Sequence, residues 1–406
     1  MKNREKYMNI GFVGPYGSAN LGDYGILIND IFDIDCNHIT VFSYNFLWPK
    51  VQLEEYCKDY VVDYCHVKLK ENLFSDVRIT DLNEFELLDG CANVDEVMHY
   101  MQSVDTLVVS GGGWINDFWA ERTEKIGKIA IVIYIAKRLN KNIRFATQGL
   151  GPLGEFSEWY SSLFKGINTV ISVRDASSLI VGKEELNIQT KLYPDDFLIQ
   201  NKKWNSFESS VTLPKDPYIV IEPFVPIEEL RENVSRIKGF LRHVHDKYNC
   251  NVFFMPFDLV HFGNDQARFC AGLADTASYY DISDILFPKY EDVIRIMECA
   301  KLVISARYHG LVLALSHRVP VIHVVNNSHG DYGRIKAYSV LEWCFSKTWN
   351  SGTFCVDSIF EAFEKVEHDF YDVLLEQNSM FENYCYDVSM KKANDERRLF
   401  IKSLME

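Results

Sequence analysis

Residues 301–325, KLVISARYHGLVLALSHRVPVIHVV, decide the fold of this chain. A β-branched apolar run gives way to a polar turn, an apolar stretch of helical length follows, and Val319-Pro320 opens a second β-branched run. Strand, turn, helix and strand in that order form one step of a parallel α/β sheet. Arg307 and His309 fall on the turn. If the backbone there is still extended, side chains at i and i+2 share one face and the two groups converge on one anion. Arginine offers a planar fork of donors to carboxylate or phosphate, and histidine exchanges a proton near neutral pH. The competing reading pairs Arg307 with a carboxylate across the domain interface and makes His309 a helix cap; spacing alone leaves the two level.

The same alternation extends outward in both directions. PYIVIEPF and CNVFFMPF read as further strands, with helices near residues 227–247, 290–300 and 310–317. Upstream, MNIGFVG, HITVFSYN, DTLVVSGGG, NIRFATQG and TVISVRD read as a first set of strands, with YGILINDIF and the nearly apolar KIGKIAIVIYIAKRLN as covering helices. Residues 201–217 are polar and carry Pro214 and Pro217, as a linker would. The expectation is an α/β chain with two Rossmann-like domains facing a cleft, residues 1–200 and 201–345. A helical tail, 346–406, would pack across them. At 406 residues two cores are expected on size alone.

Forty-two basic against fifty-seven acidic residues give a net charge of −15, which disfavours nucleic acid and anionic lipid at long range but leaves a local anion pocket open. The ten cysteines are scattered, with no Cys-x-x-Cys pair, so buried thiols in a reducing cytoplasm fit, and no metal site is expected. No signal peptide or transmembrane run is evident; any membrane contact would be peripheral.

Several turns follow predicted strands, where doubly wound sheets bind ligands. Residues 14–23, GPYGSANLGD, offer Gly17, Asn20, Gly22 and Asp23 either as a ligand loop or as a tight strand-to-helix connection. They lack both the G-x-G-x-x-G and the Gly-Lys-Ser/Thr signatures, which places a nicotinamide dehydrogenase last. Residues 110–117, SGGGWIND, bring Gly112, Gly113 and Asp117; three glycines in a row need a reason, either approach to a ligand or close packing. Gln148 and Arg174 stand at the next two strand ends, and Arg174 and Asp175 pair with each other or cap a helix on the bland reading. Glu222 and Asp265 are further strand-end carboxylates, each a base or a cap. In residues 329–334, Arg334 is a further rim candidate, while His329 and His323 read as structural.

Taken in order, GSANLGD, SGGGWINDFW, QGLGP, SVRDASS, YPDDF and ISARYHGLVLALSHRVPVI resemble the polysaccharide pyruvyl transferase family. The resemblance implies a GT-B-like fold and transfer of a pyruvyl group from phosphoenolpyruvate to a sugar or lipid-linked glycan as a ketal, as in exopolysaccharide synthesis. Phosphoenolpyruvate would be the donor substrate, with no further cofactor. It further implies that Arg307 holds a donor anion, aided by backbone N–H groups near Gly310, and that His309 is acid or base, with the acceptor on the N-terminal loops. Many relatives carry Ala where this chain has Gly310 and Lys near the place of Arg334. Two other functions suit the same architecture: a glycosyltransferase using a nucleotide-sugar, and a non-catalytic sugar- or anion-binding relative.

Overall fold

The computed structural model describes residues 8–17, 20–34, 36–45, 47–70, 77–257, 263–285, 287–325, 332–346 and 349–405. The chain forms two compact units. One comprises Met1–Ser18, Asp23–Asp196 and Glu396–Glu406; the other comprises Ala19–Gly22 and Phe197–Asp395.

Among the described residues the first unit holds nine parallel strands: β1 (Asn9–Val13), β2 (His38–Ser43), β3 (Val61–His66), β4 (Thr106–Val109), β5 (Gly112–Ile115), β6 (Asn142–Phe145), β7 (Gln148–Leu150), β8 (Ile171–Val173) and β9 (Thr190–Leu192). One sheet has the order β3-β2-β1-β4-β6, and a second runs β5-β7-β8-β9. The chain passes from the first sheet to the second twice, at Ser110-Gly111 and at Ala146-Thr147. Gln148 stitches both breaks from inside: its side-chain Nε2 stands 3.1, 2.7 and 2.9 Å from the carbonyls of Val109, Ser110 and Ala146. The helix Thr123–Arg138 is buried almost throughout from Ile126 to Ala136, as its continuous apolar sequence requires.

The second unit holds β10 (Tyr218–Glu222), β11 (Asn251–Phe254), β12 (Ala277–Tyr279), β13 (Val303–Ser305), β14 (Val321–Val324) and β15 (Cys355–Val356), all parallel, in the order β12-β11-β10-β13-β14-β15. This is the doubly wound order in which the sheet reverses direction beside its first strand, so the crevice at the carboxyl ends of β10 and β13 is its natural ligand position. Residues 301–325 fold as read, with β13, the helix Tyr308–Ser316 and β14.

Two expectations change in detail. Residues 346–406 are not wholly helical, because β15 supplies the sixth strand of this sheet before the helices Ile359–Glu382 and Tyr384–Met405. The stretch read as a linker is tied down: the Asp292 carboxylate accepts from Ser209 Oγ (2.7 Å) and from the backbone N–H groups of Ser210 (3.0 Å) and Val211 (3.2 Å). All the cysteines are free thiols, and all but Cys299 and Cys385 are buried. Among the described residues no helix is long and apolar enough to cross a membrane.

Candidate active site

Glu222 and Ser305 end the neighbouring strands β10 and β13 in register. Glu222 is buried, and its Oε2 accepts from Ser305 Oγ (3.0 Å) and from the N–H groups of Ala306 (3.0 Å) and Arg307 (2.8 Å). Its other oxygen stands 3.3 Å from Arg307 Nε. The guanidinium lies over Phe224, with Cζ 3.8 Å from the ring centre and the side chain 18% exposed. Glu222 thus clamps the turn at the start of the helix Tyr308–Ser316 and aims Arg307. A charged group held by Glu222 and Phe224 and still reaching solvent is suited to grip an anion.

Extended backbone ends at Arg307, and His309 already stands in the first turn of Tyr308–Ser316. Strand alternation thus does not bring the two together; His309 is fixed by its own packing. Its ring meets Phe197 at 6.2 Å and Tyr308 at 5.2 Å, both edge-on. On another side lies Gly22, where a Cβ would sit 1.8 Å from His309 Nδ1. The backbone holds that approach in place: Gly22 N–H donates to Asn20 Oδ1 (2.9 Å) and Leu21 N–H to the Phe257 carbonyl (3.3 Å). Gly22→Ala should push the imidazole aside, and a misplacement of that kind costs about 10²-fold in turnover. We expect that loss together with a lowered melting temperature, since the new Cβ would also lie 2.5 Å from the ring's Cγ and the ring is packed against Phe197 and Tyr308; steady-state kinetics beside calorimetry checks it.

Gly310 answers to a second close approach, because a Cβ there would stand 2.0 Å from Ser305 Oγ. The alanine common in relatives does not fit while Ser305 holds Glu222. Gly310→Ala should destabilise the protein by about 1–3 kcal/mol through overpacking, measured by urea unfolding. His323, on β14, donates from Nδ1 to the Ser305 carbonyl at 2.9 Å. Burial drives its pKa down to about 4, so it is a neutral support for the turn, the structural role expected of it.

Arg334 and Lys336, two residues apart on the helix Tyr332–Phe345, point different ways. Arg334 pairs with Asp357 and reaches the Tyr338 hydroxyl at 3.5 Å. Lys336 instead stands over the rings of Tyr308 (5.4 Å) and Tyr332 (4.8 Å), and its charge helps to lower the His323 pKa. Sequence reading chose Arg334 and missed Lys336; only the helical offset would have distinguished them. His329 lies outside the described residues. Asp265 is on the helix Gly263–Ala271, half exposed and paired with Arg268 at 2.6 Å, so it is a surface ion pair and not a strand-end carboxylate.

In the first unit the glycine-rich turns serve packing in the main. A Cβ on Gly17 would lie 1.5 Å from the Tyr44 ring, and one on Gly111 would lie 2.2 Å from Asp196 Oδ2. Gly112 has φ +125°, open only to glycine, while Gly113 accepts from Asn116 Nδ2 at 2.8 Å. Asp117 begins the helix Asp117–Ala120, half-buried, and Asp23 lies in the first turn of Leu21–Ile34. Gln148 and Arg174 are corrections to the expected rim. Gln148 is wholly buried, and Arg174, 3% exposed, makes a buried ion pair with Asp195 at 2.8 Å, so both support the rim from within. Arg174 does not pair with Asp175, which caps the helix Ala176–Glu184 through Ser178 N–H.

The family model for polysaccharide pyruvyl transferase matches residues 34–329. No curated protein matches the sequence significantly. Among solved structures, UDP-GlcNAc 2-epimerase from Neisseria meningitidis bound to UDP-GlcNAc is similar at 10% identity and TM-score 0.60, covering 98% of this chain and all 100% of that one. The Anabaena HepE protein in complex with UDP and glucose gives 10% identity, TM-score 0.58 and coverage of 98% and 100%. A glycosyltransferase from Rickettsia africae gives 13%, 0.51, 98% and 99%. At these identities the likeness establishes the fold, which is GT-B-like.

Proposed function

Since the chain belongs to the polysaccharide pyruvyl transferase family, we propose that it moves the pyruvyl group of phosphoenolpyruvate onto two hydroxyls of a glycan sugar, forming a ketal. The observation that carries this reading is the Glu222-clamped turn, which presents Arg307 with its backbone and Nε already fixed and seats His309 next in the helix. Phosphoenolpyruvate offers a carboxylate and a phosphate, and Arg307 grips one of them, with Lys336 adding positive potential nearby.

His309 is the acid–base group. A proton delivered to the enol methylene makes a methyl group and leaves the adjacent carbon electrophilic; one sugar hydroxyl attacks that carbon and surrenders its proton. A second hydroxyl then displaces phosphate from the same carbon, and its proton leaves with the phosphate. One proton is gained by carbon, two are lost by oxygen, and inorganic phosphate departs, so the step balances without an oxidant.

The test is incubation of the protein with phosphoenolpyruvate and a glycan extract. Inorganic phosphate released only when both are present is the expected result. Release of a nucleoside diphosphate from a nucleotide-sugar, with phosphoenolpyruvate inert, would replace this reading by glycosyl transfer. Binding of phosphoenolpyruvate without turnover on any glycan would favour a binding protein.

A further inference from the structure

The chain carries a net charge of −15, yet cations gather at the carboxyl edge of the first unit's sheets. Tyr44, just after β2, presses into the space left by Gly17, and its hydroxyl donates to the Pro15 carbonyl at 3.2 Å. Trp119, just beyond β5, stands edge-on to Tyr44 at 6.5 Å. Arg122 lies over Phe118 (3.4 Å) and Trp119 (6.0 Å), and Lys125 Nζ is 5.8 Å from the Tyr44 ring. All three rings and Arg122 are half-buried, and Lys125 is exposed.

Neither Arg122 nor Lys125 makes an ion pair among the described residues, although Glu121 and Glu124 adjoin them in sequence. Burial lowers the pKa of both, and Arg122 lowers that of Lys125 further; Lys128, one turn on, is lowered by burial as well. These cations also open the helix Thr123–Arg138, the end at which its dipole disfavours positive charge. Arg122 donates from Nη1 to the Phe118 carbonyl at 3.1 Å but meets no carboxylate among the described residues, and two such cations beside half-exposed aromatic faces suit an anionic, ring-bearing ligand.

We propose that this face binds a sugar joined to phosphate, its ring against Trp119 and Tyr44 and its phosphate between Arg122 and Lys125. The acceptor is then a glycosyl phosphate, not a neutral glycan. Phosphate suits the pair better than a uronate carboxylate, since two cations balance a monoester of charge near −2. The inference rests on the pyruvyl-transfer reading for its role, but the binding stands apart from turnover.

Tryptophan fluorescence titrations test it with glucose, galactose and N-acetylglucosamine 1-phosphates, each beside its methyl glycoside, with glucuronate, galacturonate and inorganic phosphate as comparisons. At least one sugar phosphate should bind about tenfold or more tightly than its methyl glycoside, and more tightly than either uronate or inorganic phosphate. Arg122→Gln/Lys125→Gln should erase that preference, Lys125→Gln alone should reduce it in a protein whose exposed residue leaves folding intact, and Trp119→Phe should abolish the quenching. Equal binding of phosphate and methyl glycoside, a preference that survives the double variant, or binding of inorganic phosphate as strong as that of the sugar phosphate would each overturn the proposal. Phosphoenolpyruvate binding, titrated separately, keeps the outcomes apart: its failure with sugar-phosphate binding intact would sink pyruvyl transfer alone.

Discussion

Replacing His309 by alanine should lower phosphate release from phosphoenolpyruvate by about 10²- to 10⁴-fold, the range that positioned acid–base catalysis supplies. The substitution removes a ring that packs edge-on against Phe197 and Tyr308, at the start of a helix whose core-facing residues, Leu311 to Leu315, stay in place. Folding should therefore be little affected, and phosphoenolpyruvate should still bind through Arg307. A turnover defect with near-normal donor affinity is the signature of an acid–base group. A variant that loses donor affinity and keeps turnover would make His309 a binding residue, and an unchanged rate would remove it from the chemistry.

The second large effect concerns stability. Arg397, from the last helix, is buried in the first unit against Asp196, Asp30 (2.5 Å) and Asp33 (2.9 Å). Asp196 also accepts from Thr147 N–H (2.8 Å) and Thr147 Oγ1 (2.6 Å), and its backbone carbonyl accepts from Asn29 (2.7 Å). Removing the one cation strands two carboxylates that have no exposure at all. Arg397→Ala should cost about 3–5 kcal/mol, as breaking a buried pair from one side does.

The pH dependence follows from the carboxylates. Burial holds both Asp30 and Asp196 above the ordinary carboxylate range. A carboxyl whose folded pKa is raised contributes stability that is complete below its unfolded pKa, about 3.9, and is lost as pH rises through the folded value. Without Arg397 the folded values rise further. The deficit of the variant should therefore be larger at pH 8 than at pH 5 in urea unfolding. A deficit independent of pH would mean that the carboxylates do not carry it.

These residues also mark what a linear reading reaches. The βαβ steps were legible because continuous apolar runs alternate with helical ones, and the resemblance rested on turns at strand ends. β3 escaped notice because it is a half-exposed edge strand carrying Asp63 and His66, without a clean period. β5 and β7 begin in Gly-Gly and Gln-Gly, which read as the turns ending the preceding strands and not as strands of their own; burial and parallel pairing, not propensity, make them strands.

Within the site, Arg307 and His309 announced themselves by residue type, and their supports did not. The motif YPDDF illustrates why: Asp195 serves Arg174, Asp196 serves Thr147 and Arg397, and Phe197 backs His309. Each partner lies far along the chain, and such pairings leave no local pattern. Gly22 and Gly310 are likewise glycines for the sake of His309 and Ser305, not for turns of their own. Lys336 differs from Arg334 only by the direction that a helix gives it.

The most direct test of the account is a crystal structure of the protein with phosphoenolpyruvate. It should place the donor's carboxylate or phosphate within hydrogen-bond distance of the Arg307 guanidinium, with the enol methylene facing His309. Phosphoenolpyruvate seated away from both residues would contradict the assignment of this turn as the donor site.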